Sequence, residues 1–193
     1  MKKFFLIFLF VFIISCEKKI KKIKIENILL FGDSLMSGYG LQDQDQLSII
    51  LENQLIKKGF NVSVKNSSIS GNTSLDGLNR INNTLSENNV DLIILCLGAN
   101  DMLKKIDPDI TKENLEKIIE IIQNRQIKII LFGMVSTPSN GIKYKKKFDN
   151  IFLDLSKKYD LLFSPFLLDG VALIPELNQS DGFHPNKKGI KII

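Results

Sequence analysis

One histidine, two cysteines and no tryptophan occur in 193 residues. A lone histidine, His184, and the absence of any Cys or His cluster at ligand spacing exclude a conventional zinc-type site, so no metal or cofactor is expected. Two cysteines are too few for a disulfide framework; Cys96, inside LIILCLG, reads as a small buried core residue. No apolar run is long enough to cross a bilayer as a stable helix. The unbroken run Phe4 to Ile14, preceded by Lys2 and Lys3 and followed by Ser15 and Cys16, instead has the parts of an export signal. Strong charge of one sign is also missing. The net charge of +5 falls to +3 once residues 1–15 are removed, which is no nucleic-acid footprint. The length suits one domain able to bury its own core.

The junction Ile13-Ile14-Ser15-Cys16 resembles the lipobox of bacterial lipoproteins, in which the cysteine becomes the acylated first residue. That resemblance implies a signal peptide over 1–15, a lipid attached at Cys16 and an exported protein anchored to the cell envelope. With Cys16 so modified, Cys96 has no disulfide partner. Residues 16–24 then form a lysine-rich tether, EKKIKKIK after the cysteine, whose lysines either lie against anionic head groups or reflect a chain rich in Lys, Ile and Asn throughout. The folded domain is expected over 25–193.

Within that domain short apolar runs alternate with longer amphipathic stretches. KIENILLF, NVSVKN, DLIILCLG, IKIILFGM and LLFSPF read as strands; QLSIILENQLIKKG, TSLDGLNRINNTLSE, KENLEKIIEIIQNR and YKKKFDNIFLDLSKKY read as helices. This alternation predicts an α/β fold with a central parallel sheet of about five strands and helices on both faces. Runs such as LIILCLG fit strands buried on both sides. Thr111 is the expected cap of the helix carrying Leu115, Ile118, Ile119 and Ile122 on one face, and Gly59 suits a helix stop.

Functional residues of open parallel sheets gather beyond the carboxyl ends of the strands. Four unusual segments fall there: Gly32-Asp33-Ser34, Ser70-Gly71-Asn72, Gly98-Ala99-Asn100-Asp101 and Asp181-Gly182-Phe183-His184-Pro185. Taken singly, each has an ordinary reading as a turn, a helix cap or a helix start. Taken together they hold the parts of an acyl-transfer site. A serine hydroxyl needs a neutral imidazole to take its proton, and the imidazole needs a carboxylate to fix its tautomer. Asp181 and His184 can be that pair, while the Ser34 and Gly71 N–H groups and the Asn100 carboxamide can serve a developing oxyanion.

The blocks FGDSLMSGYGL, SISGNTS, LGAND and DGFHPN, in this order across residues 25 to 190, resemble those of the SGNH hydrolases, also called GDSL lipases and esterases. SISGNTS and DGFHPN are most similar to bacterial thioesterase I, protease I or lysophospholipase L1 enzymes and small arylesterases. The resemblance implies a flavodoxin-like three-layer α/β/α sandwich, Ser34 as nucleophile, His184 as general base, Asp181 as its partner, and an oxyanion hole from Ser34, Gly71 and Asn100. It also implies a serine esterase acting on short- to medium-chain acyl esters, including lysophospholipids or thioesters, with export favouring simple or lipid esters. An O-acetyl esterase acting on glycans is the alternative within the class, and a lipid-anchored binding protein without turnover the alternative outside it.

Two departures stand out: Ala99 replaces a glycine common in relatives, and only nine residues follow His184 where a fuller helix is usual. The apolar residues Leu35, Met36, Tyr39, Met102, Leu103 and the segment FLLDGVALIPEL serve either the core or an acyl groove.

Overall fold

The computed structural model describes residues 24–193; the predicted leader, Cys16 and the tether up to residue 23 lie outside the described residues. Five strands form one sheet: β1 (Asn27–Gly32), β2 (Ser63–Asn66), β3 (Leu92–Cys96), β4 (Lys128–Phe132) and β5 (Leu162–Ser164). All neighbours pair in parallel, in the order β2-β1-β3-β4-β5. The two central strands come from the most continuous apolar runs. Ile28 to Phe31 and Ile93 to Cys96 are buried, as both faces of those strands are covered.

Helices α2 (Leu47–Lys57), α3 (Ser74–Glu87), α5 (Pro108–Asn124) and α6 (Ile142–Lys158) connect successive strands; short α1 (Ser34–Ser37), α4 (Ala99–Leu103) and α7 (Lys187–Ile190) lie in loops. A right-handed crossover is the rule for parallel strands. The chain moves one way from β1 to β2 and the other way thereafter, which puts α2 on the face opposite α3, α5 and α6. The contacts of α5 with both α3 and α6 agree with that placement. On α5, Leu115, Ile118, Ile119 and Ile122 are fully buried as their spacing predicts, each such side chain contributing about 1.5–3 kcal/mol.

The start of α5 differs from expectation. Pro108 is the first helical residue and Asp107 caps it by accepting the Asp109 N–H; Thr111 is buried inside the helix, its hydroxyl turned to Asp101. Strand order reverses between β1 and β3, and in such sheets the diverging loops at that point open a crevice. Ser34 follows β1 and Asn100 follows β3, so both stand at its edge.

Candidate active site

Ser34 opens α1 immediately beyond β1, held there by Asp33, whose buried carboxylate caps the turn by accepting the Leu35 N–H at 3.1 Å. His184, 150 residues later, places Nε2 2.9 Å from Ser34 Oγ. Its Nδ1 lies 2.7 Å from Asp181 Oδ2. An ionised carboxylate only accepts, so the Nδ1 proton goes to Asp181 and Nε2 is left as the acceptor facing Ser34. The other Asp181 oxygen takes the N–H groups of His184 and Phe183, and these bonds, with that from the ring, hold the carboxyl down at about 2. Asp181 is therefore charged at every working pH.

The histidine loop is braced at its base. Gln179 N–H donates to His184 O, Asn186 N–H to Leu177 O, and the Asn186 side chain caps α7 through the N–H groups of Lys188 and Gly189. Ile190 of α7 is buried in the core. On the solvent side the Tyr39 ring packs against the imidazole, centroids 4.7 Å apart.

The expected oxyanion donors, Gly71 and Asn100, come from the next two loops. Gly71 has φ of 82°, a conformation that disfavours any side chain, and no acceptor among the described residues takes its N–H. Asn100 Nδ2 donates to Asn72 O at 3.0 Å and lies 3.4 Å from Asp33 Oδ2. Ala99 is helical; the positive φ of this block belongs to Gly98, at 122°, so alanine at 99 is unstrained.

Several residues that build the site were not singled out from sequence. Arg80 of α3 donates to Asn72 Oδ1, Ser67 O and Gly32 O, and its guanidinium stacks 3.9 Å from the Phe31 ring centroid. One cation thus ties the end of β1 to the turn carrying Gly71, and burial pulls its pKa down to about 10. The detectable signal was a charge at position 80 beside the stripe Ser74, Gly77, Ile81, Thr84, Leu85 that faces inward. Fully buried Asp101 accepts from Ser74 N–H, Ser74 Oγ and Thr111 Oγ1, pinning the starts of α3 and α4 together. Of the apolar candidates near the cleft, Leu35, Met36, Met102, Leu167, Leu168 and Val171 belong to the core, whereas Tyr39, Leu103 and Leu173 are exposed.

Asp33 is the most perturbed of these acids. Burial pushes its carboxyl up to about 6, against the opposing Leu35 N–H and His184. Because the folded value lies above the ordinary 3.8, the unfolded chain ionises first, and this group's contribution to stability falls as pH rises from about 4 to 6. Asp33→Asn keeps the cap and removes the buried charge. It is expected to be more stable than the parent at pH 8 by up to about 3 kcal/mol, a gain that shrinks toward pH 4 in paired thermal melts.

Residues 30–192 match the profile of the GDSL-like Lipase/Acylhydrolase family. The chain belongs to this family. It is an SGNH-type hydrolase of the esterase class, and its relatives bear esterase names. An arylesterase of Vibrio mimicus is 33% identical over 160 residues, covering 83% of this chain and 80% of that protein. The thioesterase 1/protease 1/lysophospholipase L1 of Escherichia coli K12 is 31% identical over 162 residues, 84% and 76% of the two chains. The crystal structure of AlinE4, an SGNH-hydrolase family esterase, superposes with a TM-score of 0.79 at 39% identity, covering 87% of this chain and 90% of that one. The parallel five-stranded sheet flanked by helices is the fold of these SGNH neighbours.

Proposed function

We propose that this SGNH hydrolase cleaves carboxylic esters of short to medium acyl chains through an acyl-enzyme on Ser34. The observation that carries this reading is the continuous line Asp181–His184–Ser34, with separations of 2.7 and 2.9 Å. His184 Nε2 takes the Ser34 proton as Oγ attacks the ester carbonyl, and Asp181 stabilises the imidazolium so formed. The tetrahedral oxygen then bears the charge. The N–H groups of Ser34 and Gly71 and the Asn100 amide supply donors for it, each worth about 3–4 kcal/mol of barrier. His184 returns the proton to the leaving oxygen, the alcohol departs, and a water repeats the sequence to release the acid.

Activity is expected to fall in acid, since only the neutral His184 ring accepts the proton from serine. Asp181 stays charged and adds no limb, whereas the buried Asp33 beside Ser34, raised to about 6, adds one of its own. The check is kcat/KM against pH for p-nitrophenyl esters of increasing acyl length, using the form that begins after Cys16. A profile that stays flat into acid removes His184 from the role of base.

The lipobox-like IISC supports a second element of the proposal, a lipid on Cys16 that tethers the hydrolase to an envelope membrane. Cys16→Ser is then expected to move the full chain from the membrane to the soluble fraction; equal partition of both forms contradicts it.

A further inference from the structure

The two ends of β1 have opposite duties. Ser34 follows soon after its last residue, and the exposed Lys24 stands just before its first. All five strands run the same way, so the loops that carry Ser34, Gly71 and Asn100 lie at the edge where strands end, and Lys24 lies at the edge where they begin. The strand alone sets the two edges about 20 Å apart. A lipid on Cys16 therefore pulls on the foot of the sheet, the edge away from Ser34.

That foot has the chemistry of a surface that meets a membrane. A cavity of about 700 Å³ opens there, lined by Ile25, Leu92, Ile127, Lys128, Asp160 and Leu162 among others. Leu162 is 70% exposed, and Phe60, shortly before β2, 56%. The same edge exposes Lys57, Lys58, Lys128 and Lys157, none of them paired with a carboxylate among the described residues. Its exposed carboxylates, Glu87 and Asp160, are fewer, and Asp91 is engaged by the N–H groups of Glu26 and Asn27. Apolar side chains interspersed with lysines suit an anionic bilayer surface, and the tether adds Lys18, Lys19, Lys21 and Lys22.

The catalytic edge also exposes apolar side chains: Leu103, Phe183 and Leu173, the last held at φ of 63°, a conformation strained for leucine. Both edges are thus able to meet lipid, and the reach of the chain decides between them. From Cys16 to Lys24 the backbone spans at most about 28 Å. A domain of this size is about 40 Å across, so laying the catalytic edge on the membrane lifts Lys24 beyond that reach. We propose that the foot of the sheet faces the anchoring membrane and the catalytic edge faces away, so that the enzyme takes esters arriving dissolved in water and not lipids packed in its own membrane. This inference rests on the lipid at Cys16 and on the serine-esterase reading, and adds the orientation that joins them.

The test uses the acylated full chain in a supported bilayer of phosphatidylethanolamine and phosphatidylglycerol, which leaves no second membrane within reach. Leu162→Cys and Leu103→Cys carry a maleimide fluorophore at the foot and at the catalytic edge in turn; Cys96 is fully buried and stays unlabelled. Lipids bearing a nitroxide on the head group are expected to quench the foot label and leave the catalytic-edge label at full intensity. A second form carries about twenty Gly and Ser residues inserted after Lys22, a tether long enough for the domain to turn over. It is expected to hydrolyse 4-methylumbelliferyl decanoate held in the bilayer at least about tenfold faster than the parent, while both turn over dissolved 4-methylumbelliferyl butyrate alike. Quenching at the catalytic edge equal to that at the foot, or bilayer-held ester cleaved equally by both forms, overturns the orientation and leaves the anchor and the esterase standing. A full chain whose mass shows no acyl group on Cys16 overturns the anchor and the orientation together. A folded full chain that leaves the butyrate intact overturns the esterase reading and the substrate assignment with it.

Discussion

Ser34→Ala is expected to lower kcat by roughly 10⁴- to 10⁶-fold, and His184→Ala by a similar amount, because the two act as one unit and either loss removes it whole. KM changes little, since the groups of Gly71 and Asn100 are untouched. The paired variant Ser34→Ala/His184→Ala is then no worse than either single change, the non-additivity that marks a shared step. Asp181→Ala is milder than the extreme of that range, at about 10⁴-fold, because the imidazole keeps its place against Tyr39 while losing the partner that sets its tautomer. Steady-state hydrolysis of a p-nitrophenyl ester, with far-ultraviolet circular dichroism to show that each variant is folded, measures all four.

Asp101→Ala is expected to cost about 3–5 kcal/mol of stability. The carboxylate is fully buried and satisfies the Ser74 N–H, the Ser74 hydroxyl and the Thr111 hydroxyl, so its removal strands three donors away from water at about 1–3 kcal/mol each before relaxation. Asn114, which donates to Ser74 Oγ, loses its aligned partner as well. The damage reaches the chemistry, since Asn100 precedes Asp101 on α4 and Asn72 lies next to the cap of α3. Urea unfolding gives the stability loss; a Ser34 still in hydrogen-bonding reach of His184 predicts that kcat falls far less than in Ser34→Ala. Asp101→Asn, which keeps one acceptor oxygen, is expected to recover part of the loss.

The parallel sheet was legible because its central strands are runs such as LIILC, too short and too evenly apolar to be half-exposed helices. The meeting of the candidate residues was legible for a related reason: Ser34, Gly71, Asn100 and His184 all follow strands or lie in the last loop, and a sheet with one direction brings those loops to one edge. What stayed hidden depends on partners far apart in sequence. Thr111 looks like a cap because nothing local reveals Asp101 across the turn that waits for its hydroxyl; the true cap, Asp107, is signalled only by the proline after it. Arg80 is one more charge on an amphipathic helix until the ends of β1 and β2 fold over it. Asp33 reads as a turn residue, and its perturbation appears only with burial. Leu173 carries no local mark of its strain, since leucine in an apolar segment reads as core.

The central claim is that Ser34 is a nucleophile poised by His184, and its most direct test is covalent. A small fluorophosphonate added in excess to the form beginning after Cys16, followed by intact-mass and peptide-mapping mass spectrometry, reads the site and the stoichiometry together. One adduct per chain at Ser34, formed far more slowly in His184→Ala, is the predicted result. A folded protein that takes no label, or takes it on another residue, contradicts the account.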